Sequence, residues 1–206
     1  MKVKICGLRT EEAVLAAEDA GADFLGFIFY EKSHRHVLPE EVRGLTKHVQ
    51  RAKTVGVFVD APLDEVNAAA DFCSLDFVQL HGHESAAYAR AVCRPVIKAF
   101  RWGDDFSAEK ANEYPAEIIL LDSFSKDAVG GTGQRFCWRE AAEETARLEK
   151  PLLVAGGIAR GNVQEAEEVF RPYGVDVSGS LEIEKQKSIE RIREFMAVVQ
   201  KRRIPE

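Results

Sequence analysis

The chain has 206 residues, of which 28 are basic and 34 acidic, and 46% of the residues are apolar. The apolar share excludes wholesale disorder, and the length is sufficient for one substantial hydrophobic core. The formal net charge of −6 comes from mixed charges without a basic stretch, so we expect no nucleic-acid partner. No apolar run approaches the roughly 18 residues of a membrane-spanning helix, so we expect no membrane insertion.

The N-terminal segment and the cysteines indicate where the protein works. Residues 2–6 form a strand-like run rather than a signal peptide, which predicts a cytoplasmic protein. The cysteines are far apart and form no Cys-x-x-Cys pair, which disfavours a zinc knuckle and a disulfide framework. We also find no clustered histidines or carboxylates and no dinucleotide-binding motif, so neither a metal nor a cofactor is expected. The four cysteines are Cys6, Cys73, Cys93 and Cys137.

Eight short runs of β-branched, aliphatic or aromatic residues recur along the chain. Most are almost continuously apolar, as in strands that are covered on both faces. The predicted strands are residues 3–6, 24–29, 54–60, 77–80, 95–100, 118–122, 152–155 and 175–178.

Helical stretches rich in Ala, Glu, Leu and Arg follow these strands. Thr10 is a predicted N-cap, and Pro39 lies in a predicted first turn, where its missing N–H costs nothing. Eight strand–helix units predict a single (β/α)8 barrel over residues 1–206, with a doubly wound open sheet as the alternative. The other predicted helices begin near residues 62, 84, 108, 139, 162 and 187.

The second and sixth strand–helix units are the longest, with 30 residues from position 24 to 54 and 34 from 118 to 152. The additional residues follow the strands, and loops after barrel strands form the face that carries active sites. Functional residues are therefore expected at the ends of the strands and in these two loops.

Cys6 and Asp122 end the first and sixth predicted strands. A thiol with a depressed pKa could act as a base or nucleophile, whereas the alternative is a thiol that packs in the core. Asp122 follows four aliphatic residues, so it is either a partly desolvated acid–base group or a cap for the next loop. Asp60 ends the third strand just before Ala61 and Pro62, so we predict that it N-caps the following helix.

Polar residues of the second and fourth loops can also reach the barrel mouth. Arg35 lies among Lys32, His34 and His36, in a segment that is either a solvated loop or a site where Arg35 binds a carboxylate. Gln79 and His81 are candidate pocket-lining residues, although His81 could instead hydrogen-bond a loop carbonyl.

Glycines follow the last three strands and indicate a phosphate site. They allow backbone N–H groups to approach an anion, and the loops after strands seven and eight commonly bind phosphate in this fold. Together with an acid and a base on opposite strands, these glycines predict proton transfer on a sugar phosphate. The candidate phosphate-binding residues are Gly131, Gly156, Gly157, Ser178 and Gly179.

Nine segments together give the chain a specific family resemblance. It resembles the phosphoribosylanthranilate isomerase family of tryptophan biosynthesis over nearly its whole length. The segments are Lys4-Ile-Cys-Gly-Leu-Arg9, residues 21–29, Lys32-Ser-His-Arg-His-Val37, residues 55–59, Val78-Gln-Leu-His-Gly82, Leu120-Leu-Asp-Ser123, Gly130-Gly-Thr-Gly133, residues 155–158 with 162–163, and residues 174–178.

The resemblance implies an Amadori rearrangement of N-(5′-phosphoribosyl)anthranilate, a small-molecule substrate, without cofactor or metal. By resemblance, Asp122 is the general acid, Cys6 the base and Arg35 the ligand of the anthranilate carboxylate. The backbone around Gly131, Gly157 and Gly179 would bind the phosphate. These roles require Asp122 to be protonated and Cys6 to become a thiolate with help from nearby positive charge.

The chain departs from the family pattern in three places, none of which includes Cys6, Asp122 or Arg35. They are Val177-Ser-Gly-Ser-Leu-Glu182, Phe136-Cys-Trp138 and Lys185-Gln-Lys187. Alternative functions are an epimerase barrel, the related histidine-pathway isomerase and a catalytically silent sugar-phosphate sensor. The sequence is compatible with a monomer or a homodimer.

Overall fold

The computed structural model describes residues 1–103, 106–122 and 138–201. Eight parallel strands pair in chain order and close into a barrel through the pairing of the eighth strand with the first. The predicted (β/α)8 barrel is confirmed, and the doubly wound sheet is excluded because an open sheet would leave its edge strands unpaired. The strands are β1 (Lys2–Cys6), β2 (Phe24–Ile28), β3 (Lys53–Phe58), β4 (Phe77–Leu80), β5 (Val96–Arg101), β6 (Ile118–Asp122), β7 (Leu152–Ala155) and β8 (Gly174–Val177).

Helices connect successive strands and surround the barrel. Two short 3-10 helices, Thr46–His48 and Gly179–Leu181, and a hairpin of β9 (Glu182–Ile183) and β10 (Gln186–Lys187) complete the described elements. No helix in the described part of the chain is both long and apolar enough to cross a membrane. The α-helices are α1 (Glu11–Asp19), α2 (Pro39–Leu45), α3 (Leu63–Phe72), α4 (Ala86–Arg90), α5 (Ala108–Glu113), α6 (Trp138–Thr145), α7 (Val163–Phe170) and α8 (Ile189–Gln200).

Side-chain caps determine several helix starts. Thr10 accepts a hydrogen bond from the Ala13 N–H at 3.3 Å, as predicted, and Pro39 is the first residue of α2. Ser85 and Ser188 cap α4 and α8 in the same way, so these helices begin two residues later than the sequence predicts.

The prediction that Asp60 N-caps α3 is wrong. Its carboxylate accepts a hydrogen bond from the backbone N–H of His83 at 2.6 Å, and α3 begins after Pro62 without a side-chain cap. Asp60 has a left-handed backbone (φ 48°), and its carboxylate bonds to the loop after β4 instead of the start of α3. It therefore ties two neighbouring loops together.

Side chains alternate between the inside of the barrel and the layer beneath the helices. In β6, Ile118 and Leu120 pack inside the barrel, whereas Ile119 and Leu121 pack in the outer core. The period of two places Asp122 inside, one step above Leu120. The inward positions of β6 are therefore apolar as far as Leu120 and become polar at Asp122, at the carboxyl end of the strand, where the cavity lies.

Candidate active site

A cavity of about 470 Å³ lies at the carboxyl ends of the strands. It is lined by nearly all of the residues that the sequence analysis selected, whereas Gly131 lies outside the described residues. The structure thus brings together side chains and loops from six barrel strands. The selected residues in its wall are Cys6, Arg35, Gln79, His81, Asp122, Gly156, Gly157, Ser178 and Gly179.

The Cys6 thiol is buried at the end of β1, and only 5% of the residue is exposed. It pairs with Gly26 of β2, where the absence of a side chain makes room for its neighbours. A Cβ at Gly26 would lie 2.9 Å from Cys6 Sγ and 3.1 Å from Lys4 Nζ. The glycine therefore allows the thiol and the ammonium group to occupy the same region of the barrel.

Lys4 and Asp176 form a buried ion pair beside Cys6. Lys4 Nζ lies 3.0 Å from Asp176 Oδ1, and Lys4 is completely buried. Burial lowers the pKa of Lys4, but Asp176 and Cys6 outweigh it, so the pKa is raised and the ammonium stays charged. The positive charge of this ammonium group acts to lower the pKa of Cys6.

Lys4 and Asp176 were not selected from the sequence as members of the site. Lys4 is two residues before Cys6 on the same strand, so both side chains must point to the same face. Asp176 is flanked by two valines in β8, which places a charged residue in the middle of a buried strand. The spacing of Lys4 from Cys6, or the valines on both sides of Asp176, could have indicated an ion pair inside the barrel.

The surroundings of Cys6 do not depress the pKa of its thiol. Burial raises the pKa of the thiol, and this effect exceeds the opposing attraction from the ammonium groups of Lys4 and Lys187. The sequence showed the position of the cysteine but not the depth at which the barrel encloses it. Burial thus favours the thiol form of Cys6 over the thiolate.

Asp122 lies within reach of His81 on the other side of the cavity. Asp122 Oδ2 is 3.5 Å from His81 Nε2, and about a quarter of each side chain is exposed. His81 Nδ1 lies 2.9 Å from Gln79 Nε2, so its ring is bound to an amide side chain rather than to a loop carbonyl. Burial raises the pKa of Asp176, and the nearby Asp122 carboxylate contributes to that increase.

Arg35 binds a carboxylate of the protein itself. Its Nε and Nη2 donate to the two oxygens of Glu182, the second at 2.8 Å, and Lys187 Nζ lies 2.7 Å from Glu182 Oε1. Burial opposes ionisation of Glu182, but the hydrogen bonds from Arg35 and Lys187 outweigh it and lower the pKa of Glu182 to about 2. Glu182 was not selected from the sequence, although it belongs to a segment that departs from the family pattern.

The glycine loops after β7 and β8 border the same cavity. Gly156 and Gly157 have left-handed backbones (φ 85° and 74°), which favour glycine. Ser178 Oγ donates to the Cys6 carbonyl at 2.9 Å, and Ser180 Oγ donates to the Ile158 carbonyl at 2.7 Å. These bonds connect the loop after β8 both to β1 and to the loop after β7.

The described residues contain no group of three or more His, Cys, Asp or Glu side chains that could hold a metal ion.

Comparison with known proteins agrees with this architecture. Residues 3–198 match the family model described as N-(5′-phosphoribosyl)anthranilate (PRA) isomerase. The chain belongs to the phosphoribosylanthranilate isomerase family. Among its relatives, N-(5′-phosphoribosyl)anthranilate isomerase of Geobacter sp. (strain M21) is 46% identical over 205 residues, covering 97% of this chain and 98% of the relative.

Solved members of the phosphoribosylanthranilate isomerase family have the same fold. The enzyme from Thermotoga maritima superposes with a TM-score of 0.88 at 33% identity, covering 98% of this chain and 99% of that one. Another solved phosphoribosylanthranilate isomerase, at 32% identity, a TM-score of 0.85 and the same coverage, is in complex with reduced 1-(o-carboxyphenylamino)-1-deoxyribulose 5-phosphate.

Replacing Lys4 tests the buried ion pair. We expect Lys4→Met to lower the free energy of unfolding by about 3–5 kcal/mol, because Asp176 would remain buried without its cation. Denaturant unfolding measures the change. Lys2→Met is the matched control on the same strand: Lys2 pairs with Asp23 at the surface, and its loss should cost less than about 1 kcal/mol.

The double variant Lys4→Met/Asp176→Leu separates loss of the pair from loss of packing. Removing both charges should recover much of the stability, because no uncompensated charge is then buried. Equal stability of the single and double variants would show that the unpaired Asp176 is not the cause.

Glu182 should contribute to stability in a pH-dependent way. Its pKa is lowered from 4.5 to about 2, so its contribution is fully present above pH 4.5 and is lost as the pH falls towards 2. The difference in unfolding free energy between the wild type and Glu182→Gln should therefore shrink over this interval. Glu12→Gln, at an exposed position of α1, is the control. A difference in unfolding free energy between the wild type and Glu182→Gln that stays constant from pH 4.5 to 2 would contradict the expectation.

Proposed function

We propose that this chain catalyses the Amadori rearrangement of N-(5′-phosphoribosyl)anthranilate to 1-(2-carboxyphenylamino)-1-deoxyribulose 5-phosphate in tryptophan biosynthesis. The observation that carries the proposal is that Cys6 and Asp122, from β1 and β6, line one cavity. The volume of about 470 Å³ is in the range of cavities that bind small molecules. Membership of the isomerase family supports the same activity.

The first step in this proposal is opening of the ribose ring. Asp122 donates a proton to the furanose ring oxygen while the bond from that oxygen to C1′ breaks. The lone pair of the anthranilate nitrogen forms the C=N bond of a Schiff base, so the charge that develops on the ring oxygen is neutralised by the proton.

The second step removes the proton from C2′. The thiolate of Cys6 takes this proton, and the electrons of the C–H bond form a C=C bond as the C=N electrons return to nitrogen. The resulting enolamine tautomerises to the ketone. Burial favours the thiol form of Cys6, so the thiol first releases its proton to solvent, and the adjacent Lys4 ammonium stabilises the thiolate that remains.

Two parts of the cavity wall bind the substrate: a cationic side chain binds its carboxylate, and glycine-rich backbone binds its phosphate. Arg35 binds the anthranilate carboxylate through Nη1, since Nε and Nη2 already bind Glu182. The backbone around Gly156, Gly157, Ser178 and Gly179 binds the phosphate, together with Gly131 outside the described residues. Gln79 and His81 line the pocket between these two ends.

The proposed activity also has consequences for the partners, the location and the domain organisation of the protein. The function requires a small-molecule substrate and assigns no role to a cofactor, a nucleic acid or a membrane. We place it in the cytoplasm, as one domain over residues 1–206 that acts as a monomer or a homodimer.

Removing either proton-transfer group should nearly abolish turnover. We expect Cys6→Ala and Asp122→Asn each to lower kcat by about 10²- to 10⁴-fold, because each loses one acid or base. The loss of substrate fluorescence measures the rate, with the labile substrate generated in the cuvette. The control is Cys73→Ala, which removes a second buried thiol at the end of α3 and should retain kcat. Near-normal rates for Cys6→Ala and Asp122→Asn would refute the proton-transfer roles of these two residues.

Replacing Arg35 should weaken binding rather than chemistry. Arg35→Lys keeps the charge, but one ammonium group does not replace the separate nitrogens that bind Glu182 and the substrate carboxylate. Loss of a charged hydrogen bond costs about 1.5–3 kcal/mol, so we expect KM to rise about 10- to 100-fold. Lys32→Ala, an exposed cation in the same loop, is the control. An unchanged KM for Arg35→Lys would exclude the carboxylate contact.

A further inference from the structure

Gln79, His81 and Asp122 form a continuous row of polar side chains in the cavity wall. The Gln79 amide nitrogen lies 2.9 Å from His81 Nδ1, and His81 Nε2 lies 3.5 Å from Asp122 Oδ2. Gln79 is only 1% exposed, whereas about a quarter of the other two side chains is accessible. The row therefore runs from the interior of the barrel to the carboxylate at the end of β6.

Hydrogen-bond chemistry determines where the imidazole proton lies. The nitrogen of a glutamine side chain can only donate, so a ring nitrogen that accepts from it carries no proton. With Nδ1 accepting from Gln79, the ring proton must be on Nε2. That proton then points towards Asp122.

The orientation of the Gln79 amide follows from the burial of its other end. Gln79 Oε1 is buried and has no hydrogen-bond partner among the described residues. The reversed amide would place an NH2 group with two unpaired donors at that position, and buried donors without partners are rarer than unsatisfied acceptors. The observed orientation thus leaves the less costly group unpaired and directs the donor to His81.

The backbone that carries His81 is held in place independently of the ring. The His81 N–H donates to the Phe58 carbonyl at 2.9 Å. Lys98 Nζ lies 2.6 Å from the Gly82 carbonyl and 2.7 Å from Glu84 Oε2, in an ion pair that is almost fully buried. Because these bonds fix the loop after β4, the contact with Gln79 has to set only the ring orientation and the tautomer.

We propose that Gln79 is a positioning residue that keeps His81 in the Nε2–H tautomer, so that His81 donates a hydrogen bond to the Asp122 carboxylate. The inference rests on the proposed function, in which Asp122 becomes an anion after protonating the ring oxygen. The imidazole stabilises this anion and keeps its own proton throughout. The 3.5 Å separation is at the outer limit of a hydrogen bond, and such contacts are commonly long in free enzymes and shorten with substrate.

The tautomer can be measured without substrate. The chain has 5 histidines, and long-range ¹H–¹⁵N correlation spectra of ring-labelled protein in weakly alkaline buffer distinguish a protonated ring nitrogen from a bare one. The His81 resonances are those that disappear in His81→Ala. We expect the wild-type proton on Nε2 and a mixture of tautomers in Gln79→Met. A wild-type proton on Nδ1, or on both nitrogens, would overturn the inference whether or not the variant folds.

A kinetic double-mutant cycle tests whether Gln79 acts through His81. His81→Ala should lower kcat about 100-fold, as for loss of one donor to a developing anion. Gln79→Met should lower kcat about tenfold with little change in KM, as for loss of a supporting hydrogen bond. The double variant should be no slower than His81→Ala, whereas a loss equal to the product of both would show independent action and contradict the inference.

The two experiments separate this inference from the proposed function. A wild-type protein that does not convert phosphoribosylanthranilate would refute the function, while the spectrum would still report the tautomer. A wild type that turns over but has the other tautomer would refute the role of Gln79 alone. Gln164→Met, at an exposed glutamine of α7, is the control and should change neither the spectrum of His81 nor kcat.

Discussion

Closure of eight parallel strands is the constraint on which the rest of this structure depends. Once each strand is paired on both sides, alternate residues must point into the barrel, and the last inward position of every strand faces the same opening. Cys6 and Asp122 are far apart in the chain but are both last residues of their strands. Their convergence on one cavity is a consequence of barrel closure rather than of any local feature.

Buried ionic groups give this cavity its chemical character. Lys4 cannot escape to solvent, so its charge is balanced by Asp176 and is also available to Cys6. The same burial that keeps the ammonium beside the sulfur raises the pKa of the thiol. Burial and the neighbouring cation thus act on the thiol in opposite directions, and burial is the larger of the two effects.

Ion pairs also connect the loops that surround the cavity. Glu182 joins Arg35 in the loop after β2 to Lys187 in the hairpin after β8. On the opposite side, Lys98 and Glu84 hold the loop that carries His81. Charge pairs between neighbouring loops therefore hold the polar side chains in place around the mouth of the cavity.

The sequence by itself determined the order of strands and helices, the N-caps such as Thr10 and the strand-end positions of Cys6 and Asp122. These are local properties, since periodicity and capping depend on residues close together in the chain. Only the tertiary structure decided that Lys4 faces Asp176, that Arg35 binds Glu182 and that Asp60 bonds to the backbone of His83 rather than to α3. These partners are distant in sequence, and the pKa of Cys6 depends on burial, so both arise only when the barrel closes.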